Sequence, residues 1–260
     1  MARFVRRNHG TGHSYRLDGQ KVPGVTTVIG ALDKPALKQW AANCGATEAV
    51  ENWDELAQLG MLERLDRIRY AYRNTVKAAA VRGTRIHAFG EKIAHGVDVQ
   101  VPDEYVGPST AYARFLDRWQ IEALHTEIPV CHTGHRYGGT GDLIAQSPLL
   151  CGGDPFWLDV KTGKGVYRET ALQLAAYRGS DVALFDGKHE EPNIWTSERA
   201  FVAHVGADDV EMLPVDAGPA TWRIFLHVLQ AYRWQQACAD DPPIGRAIWP
   251  ETVDDELATA

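Results

Sequence analysis

Cysteine is scarce and dispersed. Cys44, Cys131, Cys151 and Cys238 share no paired spacing, which argues for reduced thiols and against a disulfide framework. No apolar run is long enough to span a bilayer. Met1 to Arg7 is basic, but no apolar signal core follows, so the cytoplasm is the expected compartment. Internal repeats and low-complexity tracts are missing. So is a Gly-x-Ser-x-Gly nucleophile elbow, which leaves serine acyl transfer unsupported. Gly163-Lys164-Gly165 fails as a phosphate loop, because Leu158 and Gly165 stand where a glycine and a Ser or Thr are required. Cys131-His132-Thr133-Gly134-His135 matches no zinc framework, and no second ligand pair follows. A formal net charge of −7 gives no global sign of nucleic-acid binding.

What is present is ordinary globular material. With 260 residues and 45% hydrophobic content, the chain suits one large domain, or one with an elaborated periphery. The charge is uneven. Arg64, Arg67, Arg69, Arg73, Lys77, Arg82 and Arg85 face Asp66 alone over that stretch. A solvated helix face explains any one of them; so one-sided a run in an acidic protein also suits a surface that tracks phosphates.

The pattern predicts a small β-ribbon around the Asp18-Gly19 turn, then a β-branched run from Val22 to Ile29. Pro35 opens helical pattern that continues to about Ala80, with Leu56, Leu59, Leu62, Leu65 and Ile68 at core-face spacing. Helices are expected over 75–94, 108–124, 169–185 and 219–237. Strands are expected over 127–130, 141–145, 156–161, 200–205 and 212–215, and the acidic tail after Pro242 is expected to fray. This order suggests a mixed α/β fold, a sheet covered by helices on both sides.

The stretch from Tyr137 to Lys161 carries the chemistry. Asp159 and Lys161 share one face of a strand, with Val160 turned to the core. If Asp142 faces the same way on the neighbouring strand, two carboxylates and an ammonium converge, as suits a hard cation acting on a phosphate ester. An Asp-x-Lys tripeptide alone is weak evidence, since a surface ion pair explains it. The order of pieces discriminates: Gly83-x-x-x-His87 on a helix, Glu127 on a strand, Gly141-Asp142, Asp159-Val160-Lys161, then Gln173-x-x-x-Tyr177 on the next helix.

In that order the sequence resembles the PD-(D/E)XK nuclease superfamily in its RecB-type branch, near phage-encoded and CRISPR-associated exonucleases. The resemblance covers roughly residues 75 to 205 by motif. Upstream, Val22-Pro23-Gly24-Val25-Thr26-Thr27 and Leu37-Lys38-Gln39-Trp40 look like the N-terminal segment of the phage members. It implies a restriction-endonuclease-like core over 75–240, an N-terminal β-ribbon and helical extension over 1–74, and a tail over 241–260. It implies Mg²⁺ or Mn²⁺ held by His87, Asp142, Asp159 and the Val160 carbonyl. Lys161 would orient or deprotonate the attacking water, or stabilise developing charge. A nearby cation would lower its proton affinity. Glu127 resembles the acid of the first strand, and Gln173 and Tyr177 match the branch's Gln-x-x-x-Tyr motif. Arg73, Lys77, Arg82, Arg85 and Trp40, with Tyr72, would guide the strand, with core packing the alternative role for the two aromatics.

The late cysteine cluster that holds iron and sulfur in some relatives is not matched, since Cys238 alone falls in the last hundred residues; no iron–sulfur cluster is expected. The implied function is a metal-dependent DNase. An exonuclease on single-stranded or end-exposed DNA is favoured, in phage or bacterial recombination, repair or processing. DNA is the expected partner, with recombination or replication proteins as further candidates and no membrane; a phage-encoded protein would act in the host cytoplasm. The alternatives are a structure-specific or restriction-type endonuclease on the same core, and a catalytically silent DNA-binding protein of this fold.

Overall fold

The computed structural model describes residues 3–10, 12–94 and 96–245, without the side chains of 74, 78–80, 87, 91 and 94. The chain opens with an antiparallel ribbon, β1 (Phe4–His9), β2 (Gly12–Leu17) and β3 (Gln20–Val22). Asp18 and Gly19 join β2 to β3 with φ of 51° and 76°. Two left-handed residues in a two-residue loop match the twist of the flanking strands.

Helices follow: α1 (Val25–Ile29), α2 (Pro35–Glu51), α3 (Trp53–Ala57), α4 (Met61–Arg69), α5 (Tyr72–Ala94) and α6 (Asp103–Arg118). The second half holds β4 (Glu122–His132), β5 (Tyr137–Gln146), β6 (Phe156–Lys161), α7 (Glu169–Arg178), β7 (Val182–Ala183), β8 (Glu191–Pro192), β9 (Arg199–Val205), β10 (Val210–Asp216) and α8 (Pro219–Asp240). Seven strands form one mixed sheet in the order β10-β9-β6-β5-β4-β7-β8. Only the β6–β9 pair is parallel among these, and α7 lies in its crossover.

The sheet is sandwiched as the sequence suggests. One core joins α1, α7 and α8 to it through Val25, Val28, Ile144, Trp157, Leu174, Tyr177, Phe225 and Leu229. A second joins α5 and α6 to it through Ile86, Tyr112, Phe115, Leu143, Leu158 and Val160. The ribbon adds a third, with Phe4, Tyr15 and Leu17 against Cys131 and Leu184. Burial pushes the Cys131 thiol up to about 12, and all four cysteines are free thiols. Among the described residues, no helix is long and apolar enough to cross a membrane.

Several element expectations need correction. Val25–Ile29 is a helix, not an extended β-branched run: Val25, Val28 and Ile29 bury one helical face, and tertiary packing overrides strand propensity. The supposed core face from Leu56 to Ile68 is broken between α3 and α4. Leu56 is buried, whereas Leu62 and Leu65 are exposed. The helix expected from Pro108 begins earlier, at Asp103, and carries Pro108 inside it. It stops at Arg118, because residues from Glu122 belong to β4. The helix expected to reach Phe185 ends at Arg178. Gly179 follows, where a Cβ would collide with the Trp222 indole, and Val182–Ala183 joins the sheet. The expected tail beyond residue 245 lies outside the described residues.

Candidate active site

The site lies where β5 and β6 part. They pair only at Leu143–Leu158, Ile144–Trp157 and Ala145–Phe156. Further along β5, the open edge is met by Pro23-Gly24: Gly138 N–H donates to the Pro23 carbonyl at 3.0 Å. Three glycines let aromatic rings rest on this strand's backbone. A Cβ at Gly138 would press on Tyr15, at Gly139 on Tyr177, and at Gly141 on the Trp157 indole.

These contacts also show that the pleat slips. Gly139, Gly141 and Ile144 all face the α1/α7/α8 core, while Leu143 and Ala145 face the α5/α6 core. Strict alternation forbids that pattern, so the phase changes at Asp142–Leu143. The flanking pairs Thr126–Leu143 and Ile128–Gly141 set Glu127 across from Asp142, and Glu127 has a left-handed φ of 48°. Simple alternation therefore does not aim Asp142. Its Oδ2 instead accepts a 2.8 Å hydrogen bond from Val160 N–H, bridging the gap between the strands.

On β6, Asp159 is 1% exposed and its Oδ2 lies 2.6 Å from Lys161 Nζ. Gln173 on α7 spans the pair. Its Oε1 accepts from Lys161 Nζ at 3.5 Å, and its Nε2 donates to Asp159 Oδ1 at 3.4 Å and to the Tyr177 hydroxyl at 2.9 Å. The two longer contacts are weak hydrogen bonds; the amide is fixed mainly by Tyr177. Burial, and then the Asp159 charge, push the Tyr177 phenol well above its ordinary range. Burial pulls the Lys161 pKa down, but the Asp159 and Asp142 carboxylates more than offset this, and the net shift is upward. In the protein alone, then, the amine holds its proton more firmly.

The structure thus brings Asp142, Asp159, Val160, Lys161, Gln173 and Tyr177 together. Glu127 sits beside Asp142 on the next strand, with Arg6 Nη1 at 3.8 Å from its Oε2. The His87 side chain lies outside the described residues. Its backbone is one helical turn beyond Gly83 in α5, and Gly83 abuts Thr162, where a Cβ would lie 3.2 Å from Oγ1. That contact sets α5 against the residue following Lys161. Among the described residues, no group of three or more His, Cys, Asp or Glu side chains is placed to hold a metal ion.

The basic stretch is divided between engaged and solvent-facing cations. Arg64 donates to the Leu56, Ala57 and Leu59 carbonyls, so it caps α3. Arg67 pairs with Glu48 and Glu55, and Arg85 with Glu104. Arg73 lies over the Tyr70 ring at 3.6 Å. Trp40 is half-buried and meets Tyr72 edge to face, a contact that joins α2 to α5. Lys77 and Arg82 are exposed, and among the described residues no carboxylate pairs with them.

Sequence reasoning missed Tyr15, whose hydroxyl bonds Thr140 Oγ1 at 2.9 Å, and Arg6 beside it. It also missed His204. Its Nε2 donates to the Gly163 carbonyl at 2.9 Å and pins the loop after Lys161. The ribbon's alternation was a usable signal for Arg6 and Tyr15; nothing local marks His204, which the β6–β9 register sets beside Lys161. No protein-family model matches the chain, and no curated protein sequence matches it.

Proposed function

We propose that the chain is a divalent-metal-dependent deoxyribonuclease with a restriction-endonuclease-like core of the PD-(D/E)XK type. One observation carries this reading: Lys161 Nζ rests 2.6 Å from the buried Asp159 carboxylate, beside the strand gap that Asp142 bridges. The preference for an exonuclease on single-stranded or end-exposed DNA rests on the motif resemblance to phage exonucleases.

The donor set fits the implied ion. Two carboxylates act together on one ammonium, so the gap favours positive charge, and oxygen donors suit Mg²⁺ or Mn²⁺. Asp142, Asp159 and the Val160 carbonyl would hold the ion, with His87 as a nitrogen donor. When bound, the ion supplies charge screening for the scissile phosphate and a more acidic water. The chain's own residues do the rest. Lys161, as an ammonium, stabilises the negative charge that builds on the phosphate oxygens as the attacking oxygen bonds. Asp159 keeps that ammonium at the gap. Gln173, fixed by Tyr177, holds both groups in register.

The test is digestion of end-labelled single- and double-stranded oligonucleotides by the purified protein with Mg²⁺, with Mn²⁺ and with chelator. Degradation is expected only with an ion, and Asp159→Ala and Lys161→Ala are expected to abolish it. Full activity in both variants would remove this site from consideration.

A further inference from the structure

Arg6 stands at the rim of the site in an arrangement that the fold alone does not account for. It lies on β1 opposite Tyr15 of β2, and Tyr15 bonds Thr140, two residues before Asp142. The guanidinium therefore enters the site from the ribbon side, next to Glu127. Its contact with Glu127 is loose: 3.8 Å is an ion pair, but beyond hydrogen-bond range. Only 24% of the side chain is exposed, and Nε is shielded from solvent with no hydrogen-bond partner. A charged donor kept from water and left unmet costs stability. Glu127 adds a second cost at the same spot, because a φ of 48° disfavours an L side chain. Two such costs beside a candidate catalytic acid point to a group kept ready for a ligand.

We infer that Arg6 binds a phosphate of the DNA strand neighbouring the scissile one, and that Glu127 holds the guanidinium near that position until the strand arrives. The inference rests on the nuclease reading. A guanidinium presents paired donors that match two phosphate oxygens, and it is weakly hydrated, so a half-buried position suits it better than it would suit lysine. Burial, and then the Arg6 charge, lower the pKa of nearby His13. Such a contact carries no base information. It fixes the strand's register against Asp142 and Lys161.

The experiment measures binding of a labelled single-stranded oligonucleotide to the full chain in chelator, so that no cleavage intervenes. Arg6→Gln is expected to weaken binding about tenfold and to lower the slope of log affinity against log salt by about 0.7, the value of one phosphate contact on a single strand. A methylphosphonate moved along the strand should reveal a position at which the wild type loses affinity and Arg6→Gln loses none. Arg6→Lys keeps the charge facing Glu127 and serves if Arg6→Gln does not fold; it should keep the salt slope but bind more weakly. Wild-type affinity and slope in Arg6→Gln, or wild-type affinity in Arg6→Lys, would overturn the inference and leave the nuclease reading intact. A wild type that binds no strand at low salt and cuts none with either ion would overturn both.

Discussion

The Asp142 carboxylate accepts a 2.8 Å hydrogen bond from the backbone N–H of Val160, across the gap where β5 and β6 separate. One side chain thereby joins two strands that no longer pair, and it holds the Asp159–Val160 peptide, next to the one whose carbonyl is a candidate ligand. Its structural and chemical roles are separable. Asp142→Asn keeps an acceptor oxygen for Val160 but loses the charge, so it should lose DNA cleavage and stay folded. Asp142→Ala also leaves a backbone donor unmet, at a cost of about 1.5–3 kcal/mol. Thermal and urea unfolding of the two variants, run beside cleavage assays, checks the separation. Equal stability of Asn and Ala variants would contradict it.

Gly141 is constrained more tightly than its place in a turn-like Gly-Gly-Thr-Gly run suggests. Any Cβ there runs into the Trp157 ring, which is fully buried and cannot retreat. Gly141→Ala should cost about 1–3 kcal/mol by overpacking, with a change in tryptophan fluorescence. Gly163 is the control. Its nearest neighbour to an added Cβ is the Gly165 carbonyl at 4.0 Å, so Gly163→Ala should unfold like the wild type. A tolerated Gly141→Ala would mean that the indole does not lie on the strand.

How much was legible follows from where the determining contacts lie along the chain. The span Phe156–Lys161 was read with the bounds the structure gives it, because turn formers bracket a short apolar run. That Asp142 meets Asp159 and Lys161 was expected only if Asp142 faced their way and through the resemblance carried by the motif order; the route was not foreseen. Alternation could not foretell the slip at Asp142, which comes from aromatic rings packed on glycines. Helix α1 was misread because Val25, Thr26, Thr27, Val28 and Ile29 favour strands locally, whereas the apolar spacing of 25, 28 and 29 recorded the helical face. The basic run could not be sorted from sequence, since the partners of Arg67 and Arg85 lie 12 to 19 residues away.

His204 ties the site loop to β9 in a pH-dependent way. The Gly163 carbonyl first, and Glu211 as well, favour its charged form and raise its pKa above 6.5, against a smaller lowering from burial. A raised folded-state value means the contribution is fully present below the unfolded pKa and is lost as pH rises through the folded one. The stability gap between wild type and His204→Gln should therefore be larger near about pH 5 than near about pH 9. Urea unfolding at the two pH values reads it directly, and a gap that grows with pH would reverse the assignment.

The basic stretch divides into cations already engaged by the fold and cations that face solvent, and the two sets should fail differently when changed. Arg67 bonds Glu48 at 2.7 Å and Glu55 at 2.9 Å, so it fastens α4 to α2 and α3. Arg67→Ala should lower the unfolding temperature and leave strand affinity unchanged. Lys77 and Arg82 extend from α5 into solvent, on the helix that Gly83 seats against the loop after Lys161. Lys77→Glu and Arg82→Glu should weaken DNA binding similarly for all sequences, with a shallower salt dependence and an unchanged unfolding temperature. If the strand instead runs along α4, Arg67→Ala would give the larger loss of affinity, and α5 would carry no share of the binding surface.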